Sequence, residues 1–354
     1  MPRIALSALI LLLAVGRPSA AQQVDSAGSV PIADQSSSYT VSTVLGGLHS
    51  PTGLAIRGGL ASKRTFDLFI AESGLGRVVL ISVDRPEEIR EVITGFARRA
   101  ISLDSARSGG LLGLQMLTPR SKLIVSGGST GDSDDMVRVY LLPDQGDVLS
   151  AEQSDQVLGS NAENVGGHHV GLAKTQKAAF FATSGDEHYG WILKSNIEAN
   201  RLADLKPLVA TKKETGGGAP MAIAATPPSR PQFLVVGQQG NLAAPHSSLL
   251  TFYSPMKGTR VLELPTGLHA IVGLAYSRTG QLYALDAAWQ DVSQGGVYRL
   301  DDAQLNGQQA CRAVKIASVS LPSALVFAPD GALYVAALGE AAQEGTLLKI
   351  VGEF

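Results

Sequence analysis

The densest run of chemistry-bearing side chains lies near the middle of the chain. Gly166-Gly167-His168-His169-Val170-Gly171-Leu172 is followed, after the apolar run Phe180-Phe181-Ala182, by Ser184-Gly185-Asp186-Glu187-His188. Imidazole exchanges protons near neutral pH and is a common metal ligand. A carboxylate that fixes one ring nitrogen makes the other a better general base. If the two apolar runs pair as a hairpin, His168 or His169 comes within reach of Asp186 or Glu187. His168 and Asp186 are the pair expected to act as catalyst. The plainer alternative is that Asp186 caps a turn and one histidine lines a wall.

Related side chains recur elsewhere at comparable junctions. His49 precedes one apolar run, and Glu72 and Ser73 follow the next. His269 stands in the same relation to Asp286 and Trp289, and Gln238 and Gln239 and also Glu340 follow later runs. Five of the six histidines fall at such junctions, and His246 alone sits farther along, in a longer connection. His49, Glu72, His169, Glu187, His188, His269, Asp286 and Trp289 are therefore expected to contact a ligand. The acidic run Gly131-Asp132-Ser133-Asp134-Asp135 lacks the twelve-residue calcium-loop pattern and reads as a solvated loop, so no metal ligands are assigned. Gly216-Gly217-Gly218 has neither the strand nor the Lys-Ser/Thr helix start of a phosphate cradle.

These junctions are ordered by a repeat. Small-residue markers begin at Gly53, Gly113, Gly171, Ala222, Gly273 and Ala324, at steps of 60, 58, 51, 51 and 51 residues. After each marker come two further short runs, rich in β-branched and aromatic residues and bounded by Gly, Pro, Asp and Ser, and in most repeats a weaker fourth. Pro329-Asp330-Gly331 is an explicit turn. Repeats of this period mark a repeat architecture. Four strands in each of six repeats predict an all-β, six-bladed β-propeller spanning residues 39–354. The sixth repeat lacks a fourth strand. The segment at about residues 39–45 is expected to supply it, closing the ring and removing two open edges. In such a ring the junctions named above share the face around the central channel.

A net charge of −2 over 354 residues gives no basic footprint for nucleic acid. One cysteine, Cys311, excludes an intramolecular disulfide. Residues 1–21 read as an export signal: Arg3, an apolar stretch over residues 4–15, and Ser19-Ala20-Ala21 as a cleavage site. The stretch is short for a membrane span, so none is expected after cleavage. Residues 22–38 are polar and Ser-rich and read as a disordered linker. A secreted or periplasmic monomer is expected.

Two motif sets carry a resemblance. Ser50-Pro51-Thr52-Gly53-Leu54-Ala55 with Leu68-Phe69-Ile70-Ala71-Glu72 resembles the repeat of NHL-type propellers, and residues 321–336 repeat it closely. Gly109-Gly110-Leu111-Leu112-Gly113-Leu114, and His168-x-x-Gly171 with Gly185-Asp186, are similar to motifs of the soluble quinoprotein glucose/sorbosone dehydrogenases. That resemblance implies His168 as the base taking a sugar hydroxyl proton while pyrroloquinoline quinone (PQQ) accepts hydride. The chain departs from the family at Ser108, where a Gln is expected, and at Gly218-Ala219-Pro220-Met221, where an Arg-Asn pair is expected. Matching cations in the fifth and sixth repeats are absent as well. Gluconolactonase-type propellers, whose site holds a divalent metal, are a further relative, but His49, Met221 and Ser323 stand where their calcium ligands would be. Three readings follow: a binding protein taking a small molecule, glycan or protein at the channel face, a PQQ-dependent sugar dehydrogenase, or a metal-dependent lactonase.

Overall fold

The small residues that head each repeat set how closely the blades approach. A Cβ on Gly113 would stand 2.8 Å from the Val170 carbonyl oxygen, and one on Gly273 would stand 2.6 Å from Leu325. Each of those partners belongs to the first strand of the next repeat. The spacing of the markers is therefore the spacing of inner strands that touch across the ring.

The computed structural model describes residues 30–58, 66–98, 111–127, 136–143, 146–159, 169–176, 179–184, 190–241, 244–339 and 343–354. It is a six-bladed β-propeller of four-stranded antiparallel blades. The inner strands are Pro51–Arg57, Leu111–Thr118, His169–Lys174, Pro220–Ala225, Ile271–Tyr276 and Pro322–Phe327, and each contacts the next in cyclic order. Blade six consists of Pro322–Phe327, Leu333–Ala337, Gly345–Val351 and, as expected, a strand from the N-terminal side, Thr40–Leu48. Thr40 pairs with Val351 and Leu48 with Gly345. Phe354 then packs on Tyr39, Tyr283 and Phe327, with ring centroids 5.1–5.4 Å apart, and pins the closure to blade five.

Stability resides between blades. Six apolar clusters fill the six interfaces, from that of blades one and two (Phe69, Leu80, Leu123, Tyr140) round to that of blades six and one (Leu48, Leu68, Tyr334, Leu347). A strand whose two faces both look onto a neighbouring blade is buried on both. The second strands accordingly read as continuous apolar runs, such as Leu68-Phe69-Ile70-Ala71, and not as an alternation.

Two features differ from the sequence expectation. The segment expected to be a disordered linker is docked from Val30 onward. Val30 is buried, Ala33–Asp34 pairs in parallel with Val314 and Lys315 of blade five, and Gln35 donates to the Lys315 carbonyl at 2.8 Å. An apolar residue and free backbone groups suffice to add a short fifth strand to an open blade edge. The outer hairpin of blade five, Gly296–Leu305 with Gln308–Ser318, is also far longer than its apolar runs indicate. Residues 1–29 lie outside the described residues.

Candidate functional site at the channel face

In blade five, Asp286 ends the second strand, Leu282–Asp286, and is register partner to Ile271, the first residue of the inner strand. Its carboxylate is 1% exposed. One oxygen accepts from the backbone N–H groups of Ala270 at 2.8 Å and Ala288 at 3.2 Å. The other accepts from the His269 backbone N–H at 3.0 Å and lies 3.3 Å from His269 Nδ1. An imidazole braced this way holds its proton on Nδ1 and leaves Nε2 as the nitrogen for a ligand.

His246 completes the group. Its ring lies 4.1 Å, centroid to centroid, from that of His269. Its Nδ1 is 2.9 Å from the Gly267 carbonyl, which can only accept, so Nδ1 carries a proton here too. The backbone at His246 is left-handed, with φ of 65°. That conformation is uncommon outside glycine, and it puts the ring over its neighbour. Beside His269, a small recess is lined by Gln239, Asn241, His269, Trp289 and Gln290. The recess encloses only about 10 Å³, room for about one water, so a polyhydroxy molecule would meet these amide, imidazole and indole groups at its mouth and not inside it.

Blade one repeats the corner with a different outcome. Glu72 Oε1 accepts from the His49 backbone N–H at 2.8 Å, and Oε2 accepts from Arg77 Nε at 2.7 Å. Arg77 also bonds Glu91 at 2.7 Å. In blade four Gln238 holds the same place and donates to the Gly218 carbonyl at 3.0 Å. The last residue of a second strand is thus first a brace for the segment that leads into the inner strand. At Glu72 one oxygen makes that brace and the other is taken by Arg77, which opens the third strand. His49 is half-buried and gives its backbone, not its imidazole, to the brace.

The histidine–carboxylate pair expected in blade three cannot be compared directly. His168, Asp186, Glu187 and His188 lie outside the described residues, as do Gly131 to Asp135 and Glu340. The backbone of His169 opens the inner strand of blade three and is register partner to Ser184. The structure therefore joins two of the expected residues, His269 and Asp286, adds His246, which the sequence reading set aside, and puts Trp289 beside them. Among the described residues no group of three or more His, Cys, Asp or Glu side chains stands close enough to hold a metal ion.

A quinone bearing several carboxylates needs cations around the channel. The described channel-face positions 49–50, 72–73, 218–219, 238–239, 269–270, 286–287, 320–321 and 337–338 include neither Lys nor Arg. Arg77, near Glu72, is already bonded to two glutamates. These positions offer no free cation to a quinone's carboxylates; in blade two Arg138 donates to the Gly127 carbonyl at 3.1 Å, and most channel-face positions of blades two and three lie outside the described residues.

No protein-family model matches the chain, and no curated protein matches it. Solved structures do. An oxidoreductase (glucose dehydrogenase) from Thermus thermophilus superposes with a TM-score of 0.57 at 19% identity, over 88% of this chain and 100% of that one. The PQQ-bound aldose sugar dehydrogenase from Streptomyces coelicolor gives 0.55 at 15% identity, over 88% and 98%. A luciferin-regenerating enzyme gives 0.56 at 9% identity, over 89% and 95%. At these identities the likeness is one of fold, and the fold evidently hosts more than one chemistry.

Proposed function

We propose that this propeller is an exported binding protein that takes a sugar-class small molecule at the channel face of blades four and five. The observation that carries the reading is the Asp286-braced His269, packed against the tilted ring of His246 beside Trp289 and the amides of Gln239, Asn241 and Gln290. An indole face receives the apolar face of a sugar ring, while imidazole and amide groups exchange hydrogen bonds with its hydroxyls. The fold likeness to sugar dehydrogenases supports the ligand class, and the leader-like residues 1–21 support export.

Trp289 is one of only two tryptophans, which makes the site readable by fluorescence. Titration with a panel of aldoses and their lactones should give a saturable change in emission. The change should vanish in Trp289→Phe and shift to at least tenfold higher concentration in His269→Ala. A flat titration across the panel with folded protein sinks the reading. Dye reduction with aldoses after adding PQQ, lost in His168→Ala, would instead support the quinoprotein reading. That second reading rests on the His168-x-x-Gly171 and Gly185-Asp186 motif.

A further inference from the structure

At the other end of strand Leu282–Asp286, away from the histidines, blades four and five part to leave a cleft of about 170 Å³. Its floor is Leu250, Leu264, Leu282, Leu300 and Cys311, each no more than 8% exposed. The rings of Phe252 and Tyr276 also line it. The cleft has a structural origin. The long outer hairpin of blade five, Gly296–Leu305 with Gln308–Ser318, reaches past its neighbours against the outer strand of blade four, Arg260–Pro265. Interiors of this composition normally close to the density of organic crystals. A dry cavity of about 150 Å³ is large enough for benzene, so this one suits a single ring and not a long chain.

The polar groups at its ends are unequal. Arg230 lines one end and forms no ion pair among the described residues. Tyr276 lines the cleft too, and burial raises its hydroxyl above the ordinary tyrosine value, so it stays a donor. At the outer end Asp301 is held by Arg299 through two bonds of 2.7 and 2.8 Å, and Asp302 is exposed to solvent. With Asp301 matched by Arg299, the unpaired charges of the lining are Arg230 and the solvent-exposed Asp302, so the positive charge is local to Arg230, beside the rings of Phe252 and Tyr276.

We propose that this interblade cleft is a second ligand site, separate from the channel face, for a monocarboxylate carrying one aromatic ring. The ring enters between Phe252 and Tyr276 over the leucine floor, and the carboxylate meets Arg230. The probe is 4-fluorophenylacetate, followed by ¹⁹F NMR on the full chain. Saturable broadening is expected for the acid, weaker binding for neutral 4-fluorophenylacetamide, and the weakest for 4-fluorophenethylamine. Arg230→Gln should weaken the acid roughly tenfold or more while leaving the amide unchanged. Leu262→Trp, or Ala310→Met if the first does not fold, should fill the cleft and abolish binding of both. Trp289→Phe should leave all of these values unchanged, which separates this site from the channel-face reading. The proposal is overturned by absence of acid binding at millimolar concentration, by tighter binding of the amine than of the acid, or by undiminished binding in a folded cleft-filled variant.

Discussion

Asp286 accepts three backbone N–H groups as well as facing an imidazole, so it serves the scaffold and the site together. Asp286→Ala strands those buried donors and should lower unfolding free energy by about 3–5 kcal/mol in urea titrations, whereas Asp286→Asn, which keeps one acceptor, should lose less. Cys311 offers a second test at this scale. Burial pushes its thiol up to about 12 from 9.0. The folded chain therefore keeps a proton that the unfolded chain sheds, so this contribution is fully present below pH 9 and is lost as pH rises toward 12. The thiol's slope approaches about 1.4 kcal/mol per pH unit above pH 9; buried tyrosines, raised in the same way, add to it as pH nears 10, so the difference between the parent chain and Cys311→Ala isolates the thiol's share. His269 and Asp286 were each legible as site residues from their place in the repeat. Their pairing was not, because it depends on the Ile271–Asp286 register of the blade-five hairpin, which spacing alone does not fix. His246 was hidden for another reason: a left-handed backbone turn, which no spacing rule reveals, brings its ring against that of His269.

Among the strands, one irregularity recurs in all six blades. The register slips at the head of every inner strand: between Pro51 and Gly53, Leu111 and Gly113, His169 and Leu172, Pro220 and Ala222, Ile271 and Gly273, and Pro322 and Ala324. Bulges re-aim side chains and sharpen twist, and here they turn the chain toward the channel just where the candidate residues stand. Close approach at the same place leaves no room for a methyl group. Gly113→Ala should destabilise by about 1–3 kcal/mol, read as a lowered midpoint of denaturation with unchanged slope. Thr43→Pro, in the closing edge strand at the register partner of Leu348, should lower the midpoint of denaturation. The repeat made nearly every strand legible, since composition and spacing agree on them. The long hairpin of blade five was missed because its outer half is polar. Its signal was the turn Asn306-Gly307, with φ of 52° and 77°, the dipeptide that tight hairpins favour.

For the whole molecule, closure decides stability. Six interblade cores are each shared by two blades, so opening one interface exposes apolar surface on both sides. A chain beginning at Tyr39 gives up only the docked segment with Val30 and should lose about 2 kcal/mol. A chain beginning at His49 lacks the closing strand and should show no cooperative unfolding transition by calorimetry. The ring itself was readable from six markers, but the docked residues 30–38 were not. Their attachment rests on one buried valine and a few backbone bonds, which composition does not register. Closure also carries a temporal meaning. Tyr39 and Glu353, joined by a hydrogen bond, are 314 residues apart. The strand Thr40–Leu48 must therefore wait, without its partner, for Gly345–Val351 to be made. A nascent chain cannot close the ring until that strand is delivered. A prematurely ended chain keeps a raw edge that proteases can seize, so the ring seals only around a finished product.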